Sequence, residues 1–167
     1  GIIRETFGYI NRFKGSTFVF TLDSTLLNHP LFPLLIKDLV LLHKMGIRIV
    51  VVPGARLRIN EVLKTYGIRC RTVEGVRITT ARAIPFIKMA AFDVCNRIMT
   101  MLSEHSANAV IGNWVRARAI GVRDGIDYKN SGVVEKLKSD IVKSVIDEGL
   151  VPIFPTIGWS AAGKPYN

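Results

Sequence analysis

The feature that most constrains the fold is the run Ile47–Val52, which is apolar and β-branched apart from Arg48. It lies between two segments with helical periodicity, Phe32–Lys44 and Leu57–Tyr66, each closely followed by a glycine. Strands that are buried on both faces of a parallel sheet carry such unbroken apolar runs. The run therefore predicts an interior strand of a parallel sheet.

A second apolar run, Thr17–Leu22, precedes the first of these helices and contains Val19 and two phenylalanines. We expect it to be a buried strand as well. The order strand–helix–strand–helix is typical of a parallel sheet joined by right-handed crossovers. The fold class predicted is α/β, with a mostly parallel sheet sandwiched by helices.

The remaining residues predict further elements of both kinds. In chain order, these are a hairpin or irregular loop over Ile68–Thr79, a helix over Thr80–His105 that begins or kinks at Pro85, a short strand at Ala109–Gly112, a projecting hairpin over Trp114–Val134, a helix over Ser139–Glu148, and a buried strand over Leu150–Phe154 broken by Pro152. A turn at Ala162–Lys164 comes just before the last residues, so we expect the polypeptide to continue beyond Asn167.

The charge of the chain raises the possibility of a nucleic-acid partner. There are 23 Lys and Arg residues against 13 Asp and Glu, a formal net charge of +10. The basic residues are spread singly, however, and no basic run or zinc-finger motif is present. Two other sources of the excess charge are a site for anionic small molecules and the absence of an acid-rich partner segment, and nucleic-acid binding is the less favoured interpretation.

Composition places the chain among cytoplasmic globular proteins. Apolar residues make up 49% of it, but no apolar run approaches the ~18 residues that a membrane-spanning helix needs. Cys70 and Cys95 have neither disulfide-framework nor zinc-site spacing, so we expect two reduced thiols. The three histidines, His29, His43 and His105, also lack metal-ligand spacing, and no metal site is predicted.

Two strand ends carry residues suited to ligand binding. Asp23-Ser24 follows the first predicted strand, and Pro53-Gly54 follows the second. Open α/β sheets bind ligands at this edge, where a glycine lets the backbone approach an oxyanion. Taken alone, these residues fit simple punctuation between strand and helix at least as well.

Four motifs follow one another along the chain: Tyr9–Asn11 with Lys14-Gly15, the segment Leu42–Ile59 containing Gly54-Ala55-Arg56, the stretch Gly75–Thr79, and Gly121–Tyr128 followed by Ser131-Gly132. Together they resemble the amino-acid kinase family. The Gly-Ala-Arg triplet and the last motif are similar to N-acetylglutamate synthases in particular. The resemblance covers nearly the whole chain.

The resemblance implies an amino-acid kinase fold and a set of ligand-binding residues in its N-terminal lobe. Arg77 matches an arginine that pairs with an acetylglutamate carboxylate in the kinases, a role that suits the guanidinium fork. Gly54 and Ala55 match the turn that meets the ligand, and Asn167 matches an asparagine of the catalytic motif. The alternative for Arg77 is a surface ion pair.

The same resemblance implies the activity of a larger protein. In the synthases, this domain is followed by an acetyltransferase domain that uses acetyl-CoA and glutamate, in the first step of arginine biosynthesis. The kinase-like domain is a scaffold and, in many members, the site of feedback inhibition by arginine. We therefore expect no catalytic residue and no cofactor in this chain, with an arginine or glutamate derivative as its small-molecule partner.

Three residues depart from the kinase pattern. The kinases have a lysine on the first strand, followed by two glycines, and these positions are Thr21, Asp23 and Ser24 here. Phosphoryl transfer needs positive charge where negative charge develops, and a carboxylate opposes it. An acetylglutamate kinase is thus an alternative that the sequence disfavours.

The first residues form a separate hypothesis. Residues 2–13 have an amphipathic helical pattern, and in arginine-sensitive relatives such a helix is exchanged between subunits. We predict that residues 1–14 are an oligomerisation helix, with Phe7, Tyr9 and Ile10 as contact residues, and that residues 15–167 form the truncated kinase-like lobe.

Overall fold

The computed structural model describes residues 1–167 and contains five α-helices and twelve β-strands. The helices are α1 (Ile2–Phe13), α2 (Phe32–Lys44), α3 (Arg56–Thr65), α4 (Ile84–Glu104) and α5 (Ser139–Asp147). The strands are β1 (Thr17–Leu22), β2 (Arg48–Pro53), β3 (Thr72–Val73), β4 (Val76–Arg77), β5 (Ala109–Ile111), β6 (Val115–Ala119), β7 (Val122–Arg123), β8 (Ile126–Asp127), β9 (Gly132–Leu137), β10 (Val151–Ile153), β11 (Gly158–Trp159) and β12 (Pro165–Tyr166).

The central sheet is parallel and has the strand order β1-β2-β10-β5. β2 is the interior strand that its apolar run predicts, and Val51 is completely buried in it. Helices α2, α3 and α4 pack against one another beside the sheet, while α5 contacts β10. The predicted α/β class and the helix-flanked parallel sheet are confirmed.

The expectation that β1 is a buried strand was wrong. β1 is an edge strand of the central sheet, and only Leu22 within it is buried, whereas Val19 is 62% exposed. Phe18 and Phe20 are partly buried against the core on the alternate side. An apolar run does not distinguish an interior strand from an edge strand, because that depends on which strand lies beside it.

The sequence predicted that Pro152 breaks the last buried strand. In the structure Pro152 lies inside β10, opposite Val110. Along this strand, the Val151 amide donates to Asn108 on the β5 side and the Phe154 amide donates to Val51 on the β2 side. Successive residues of a strand direct their amides to opposite sides, so position 152 would direct its amide to β2, and proline has no N–H to donate there. The β10–β2 ladder has its registered pair at Ile153 and Val51, so Pro152 lies just before the point where that ladder begins.

The projecting hairpin forms a second sheet of mixed direction, in the order β12-β11-β6-β9. β6 and β9 pair antiparallel, and the small hairpin β7–β8 extends from their turn. At the end of β8, Asp127 accepts a local hydrogen bond from the Lys129 amide at 2.8 Å. None of the helices is long and apolar enough to cross a membrane.

Helix α1 has no buried residue, in line with its amphipathic pattern and the lack of a core beneath it. Ile2, Ile3, Phe7 and Tyr9 are between 61% and 82% exposed. Only its last residue is anchored, since the Phe13 ring packs edge-on against Phe18 at 5.4 Å. The helix is thus attached to the body of the chain at one end.

Candidate ligand-binding cleft

A cleft of about 290 Å³ opens where β1 and β2 end. We call it the strand-end cleft, and its lining residues are Asp23, Ser24, Gly54, Ala55, Arg56, Ile59, Gly75, Arg77, Thr156 and Asn167. The four ligand-binding residues that the sequence nominates, Gly54, Ala55, Arg77 and Asn167, all lie in this one cleft. The other nominated residues, Phe7, Tyr9 and Ile10, lie on α1 and line no part of it.

Gly54 occupies a place where two strand ends come so close that a side chain would be crowded. Its amide donates to Leu22 O at 2.7 Å. A Cβ at Gly54 would stand 3.1 Å from the Ser24 nitrogen and 3.3 Å from Leu22 O, both of them backbone atoms. The glycine therefore follows from close backbone approach, which leaves the cleft floor open.

Helix α3 begins directly at the cleft. Ala55, 3% exposed, is its N-cap residue, and no side chain caps its first amides. Unpaired amides at a helix N-terminus carry partial positive charge and suit an anionic group. Arg56, the first residue of α3, adds a full positive charge to the same lining.

Arg77 is half-buried on β4 and has no acidic partner within salt-bridge distance. Its Nη2 donates to Asn60 Oδ1 at 2.6 Å. Burial of the guanidinium lowers the pKa of Arg77 from its ordinary value, and Cys70 acts weakly in the opposite direction. The surface ion pair that was the alternative for this residue is therefore absent, and its charge is available to an anion.

A buried hydrogen-bond network holds Arg77 and Asn167 in place. The Ser131 hydroxyl donates to the Arg77 carbonyl oxygen and accepts from the Thr79 amide at 3.0 Å. The Asn167 Nδ2 donates to Thr79 Oγ1, also at 3.0 Å. Thr79 and Ser131 are 0% and 1% exposed, so their hydroxyl groups are committed to this network.

The sequence did not nominate Thr79 or Ser131 as site residues, although both belong to motifs that it singled out. The signal available was that Thr79 stands two residues after Arg77 and that Ser131 belongs to the motif that begins at Gly121. Only the fold shows that residues 52 positions apart, Thr79 and Ser131, are hydrogen-bonded.

The cleft also contains an acidic residue where a phosphate-binding site needs none. Asp23 Oδ1 accepts hydrogen bonds from the hydroxyl and the amide of Thr25, at 2.7 and 2.9 Å. These two bonds, with a smaller contribution from the charge of Arg56, hold the pKa of Asp23 below its usual value. Asp23 is therefore a carboxylate at neutral pH, beside the cleft that two arginines line.

The other departures from the kinase pattern are equally unsuited to phosphate. Thr21 is exposed on β1 and does not line the cleft, whereas the Ser24 hydroxyl is buried without a hydrogen-bond partner within the chain. The cleft thus combines Arg56, Arg77 and a helix N-terminus with one carboxylate. This arrangement suits a ligand that carries at least one carboxylate of its own.

No group of three or more His, Cys, Asp or Glu side chains lies close enough to hold a metal ion. His29 Nδ1 accepts from the Leu31 amide, and His43 Nε2 contacts the Gly149 carbonyl oxygen at 3.1 Å. His29 is thus engaged in a local turn, whereas His43 makes a long-range contact and its Nδ1 is buried without a hydrogen-bond partner within the chain. Cys95 lies in the core, and Cys70 is a partly exposed free thiol.

Comparison with known proteins places these features in a family. The sequence profile of the amino acid kinase family matches residues 15–167. The amino-acid acetyltransferase of Pasteurella multocida is 34% identical over 170 residues, which are 98% of this chain and 38% of that protein. The chain therefore spans well under half the length of such curated relatives.

Two solved structures of N-acetylglutamate synthase from Neisseria gonorrhoeae resemble the fold along almost its whole length. The complex with coenzyme A and N-acetyl-glutamate has a TM-score of 0.87 at 31% identity, covering 99% of this chain and 39% of that one. The complex with coenzyme A and L-arginine has the same TM-score at 30% identity, covering 98% and 41%. The chain belongs to the amino acid kinase family, and within it is homologous to the kinase-like part of N-acetylglutamate synthases.

Proposed function

We propose that the chain is the regulatory and scaffold domain of an N-acetylglutamate synthase and performs no catalysis itself. The larger protein would transfer an acetyl group from acetyl-CoA to L-glutamate, at the start of arginine biosynthesis. The observation that carries the proposal is the content of the strand-end cleft. It contains the arginine and the turn to which the family resemblance assigns carboxylate binding, but it has Asp23 and Ser24 at the positions where the kinases have glycines.

The ligand proposed for the cleft is an amino-acid derivative with one or more carboxylates, such as N-acetylglutamate or arginine. Arg77 supplies a half-buried guanidinium without an acidic partner, and the start of α3 supplies amides. Asp23 is a hydrogen-bond acceptor for an N–H group of such a ligand. Gly54, Ala55 and Asn167 complete the lining at the backbone turn and the end of β12.

Oligomerisation is a second part of the proposal and concerns α1. The exposed Ile3 and Phe7, with the less exposed Ile10, lie on one side of a helix that covers nothing within the chain. Burial of such apolar surface against another subunit would contribute roughly 25 cal/mol per Å². We assign residues 1–14 to this role and residues 15–167 to the kinase-like lobe. The two free thiols agree with a cytoplasmic location.

The test of the non-catalytic assignment is an enzyme assay with two readouts. The 167-residue chain is incubated with ATP, Mg²⁺ and N-acetylglutamate, and release of ADP is followed; in parallel, the larger protein is assayed for acetyl transfer from acetyl-CoA to glutamate. We expect no ADP release above the rate without N-acetylglutamate, because the cation at the Thr21 position is missing. We expect acetyl transfer by the larger protein alone.

A variant repeats the kinase assay with the hydrogen bond to Asp23 removed. Thr25→Ala deletes the hydroxyl that donates to Asp23. Because the cation at the Thr21 position is still missing, this variant should also show no ADP release. Release of ADP that depends on N-acetylglutamate, by either form, would establish the kinase alternative and overturn the proposal.

A further inference from the structure

A second and larger depression lies beside the strand-end cleft, and its lining carries positive charge only. It has a volume of about 650 Å³. We call it the basic cavity, and its lining residues are Asn60, Leu63, Lys64, Gly67, Ile68, Arg69, Cys70 and Arg77. Three of the eight are cations and none is an acid. Arg77 is shared with the strand-end cleft; Lys64 and Arg69 are not.

These three cations have no anionic partner in the chain. The salt bridges of the molecule join Arg48 to Asp147 and Arg58 to both Glu61 and Asp93. Glu61, one turn before Lys64 on α3, is therefore already engaged by Arg58. Like charges that converge on one depression repel one another, and an anion bound between them relieves that repulsion.

Arg77 borders both depressions, and its one side-chain hydrogen bond lies on the side of the basic cavity. Its Nη2 bonds to Asn60 Oδ1, and Asn60 lines the basic cavity but not the strand-end cleft. Burial lowers the pKa of Arg77, which is the response of a cation that lacks a nearby counter-charge. A neutral amide is thus the only partner of a half-buried charge.

We infer that the basic cavity is a binding site for a small phosphate-bearing molecule, held by Lys64, Arg69 and Arg77. A phosphate group offers three or more acceptor oxygens and close to two negative charges, which matches three cationic residues that line one cavity better than one planar carboxylate does. Because these residues line a single cavity, a small ligand is favoured over a nucleic-acid backbone. This inference does not depend on the proposed function of the strand-end cleft.

The first test is calorimetric titration with inorganic pyrophosphate at fixed ionic strength, in which sodium chloride serves as the blank. We expect pyrophosphate to bind the wild-type chain, and each of Lys64→Ala and Arg69→Ala to weaken it by about tenfold, the effect of one charge-assisted hydrogen bond. Both side chains are exposed, so the fold should persist. Lys143→Ala, which removes an exposed cation on α5, is the matched control and should not change the affinity.

The variants separate the two sites. Arg69→Ala should weaken pyrophosphate binding and leave binding of N-acetylglutamate in the strand-end cleft unchanged, because Arg69 lines the basic cavity and not the cleft. No binding of pyrophosphate to the wild-type chain, or equal affinities for wild type and the Lys64→Ala/Arg69→Ala double variant, would overturn the inference. Failure of N-acetylglutamate to bind would count against the proposed function alone.

Cys70 provides a second readout inside the same cavity. Its thiol lines the basic cavity and is partly exposed, whereas Cys95 is buried. The dianionic reagent DTNB should react with Cys70 faster than a neutral disulfide of equal intrinsic reactivity, and pyrophosphate should slow the DTNB reaction. Arg69→Ala should remove most of the preference for DTNB. A rate of DTNB reaction that neither pyrophosphate nor Arg69→Ala changes would contradict an anion site.

Discussion

Cys95 is the residue whose environment has the most direct thermodynamic consequence. It lies on the buried face of α4 with 1% of its surface exposed, and burial raises the pKa of its thiol from 9.0 to about 12. Between those pH values, the folded chain keeps the proton and the unfolded chain loses it. The free energy of unfolding therefore falls as pH rises from about 9 towards 12, whereas below pH 9 this contribution is complete.

We predict that Cys95→Ala loses this part of the pH dependence. Both forms are compared in a Cys70→Ala background, so that Cys95 is the one thiol present, and urea unfolding is measured at pH 8 and pH 10. The stability of the parent should fall relative to the Cys95→Ala variant by about 1 kcal/mol between these two pH values. A constant difference between the two forms would show that the thiol titrates normally in the fold.

Arg77 shows what a motif can and cannot predict about one residue. Its membership in the strand-end cleft followed from the match of Gly75–Thr79 to a family pattern. Its hydrogen bond to Asn60, 17 residues earlier, and its second role as lining of the basic cavity did not. These depend on how α3 and the β3–β4 hairpin pack together, and the local sequence contains no periodic signal for that contact.

At the scale of elements, the sequence predicts whether most segments are helices or strands. It does not predict where some of the strands lie in the sheet. The helix over Phe32–Lys44 has the same ends in the structure, because a Leu-rich stripe and a following glycine define it locally. β1 was expected to be buried but lies at the edge of the sheet. Its own sequence does not indicate this, because the edge position depends on the order in which all four strands pair. Pro152 was taken as a break, and only the ladder geometry explains why β10 tolerates it.

Helix α1 yields a prediction about assembly. We expect Ile3→Ser/Phe7→Ser to reduce the oligomeric mass measured by light scattering, because it removes apolar surface that covers nothing within the chain. Glu5→Ser/Arg12→Ser, on the opposite side of the helix, is the matched control and should assemble as the wild type does. Deletion of residues 1–11 should act like the first variant and spares Phe13, which packs on Phe18.

The thermal unfolding of the dissociated α1 variants separates assembly from folding. As α1 buries no residue in its own chain, a variant that dissociates should keep its far-ultraviolet circular dichroism and unfold cooperatively. One common mass for the wild type, the Ile3→Ser/Phe7→Ser variant and the truncated chain would refute the oligomerisation role.

At the scale of the molecule, the central sheet and the second, mixed sheet meet at the end of the central sheet where β1 and β2 end. The parallel sheet supplies the turn at Gly54 and the start of α3, while the β6–β9 sheet reaches across through Ser131 to Arg77 and Thr79. The strand-end cleft exists only where these two parts meet. The order of helices and strands could be predicted from periodicity. The junction joins residues more than 50 positions apart, and only the family motifs indicated that these residues belong to one site.

The central claim is that this cleft binds a carboxylate-bearing amino-acid derivative through Arg77 without transferring a phosphoryl group. Calorimetric titration of N-acetylglutamate into the wild-type chain, Arg77→Ala and the control Lys143→Ala tests it most directly. We predict binding to the wild type and to the control, and a loss of at least about tenfold in affinity for Arg77→Ala, since a buried charge-assisted contact is removed. Equal affinities for wild type and Arg77→Ala, or no binding to the wild type, would contradict it.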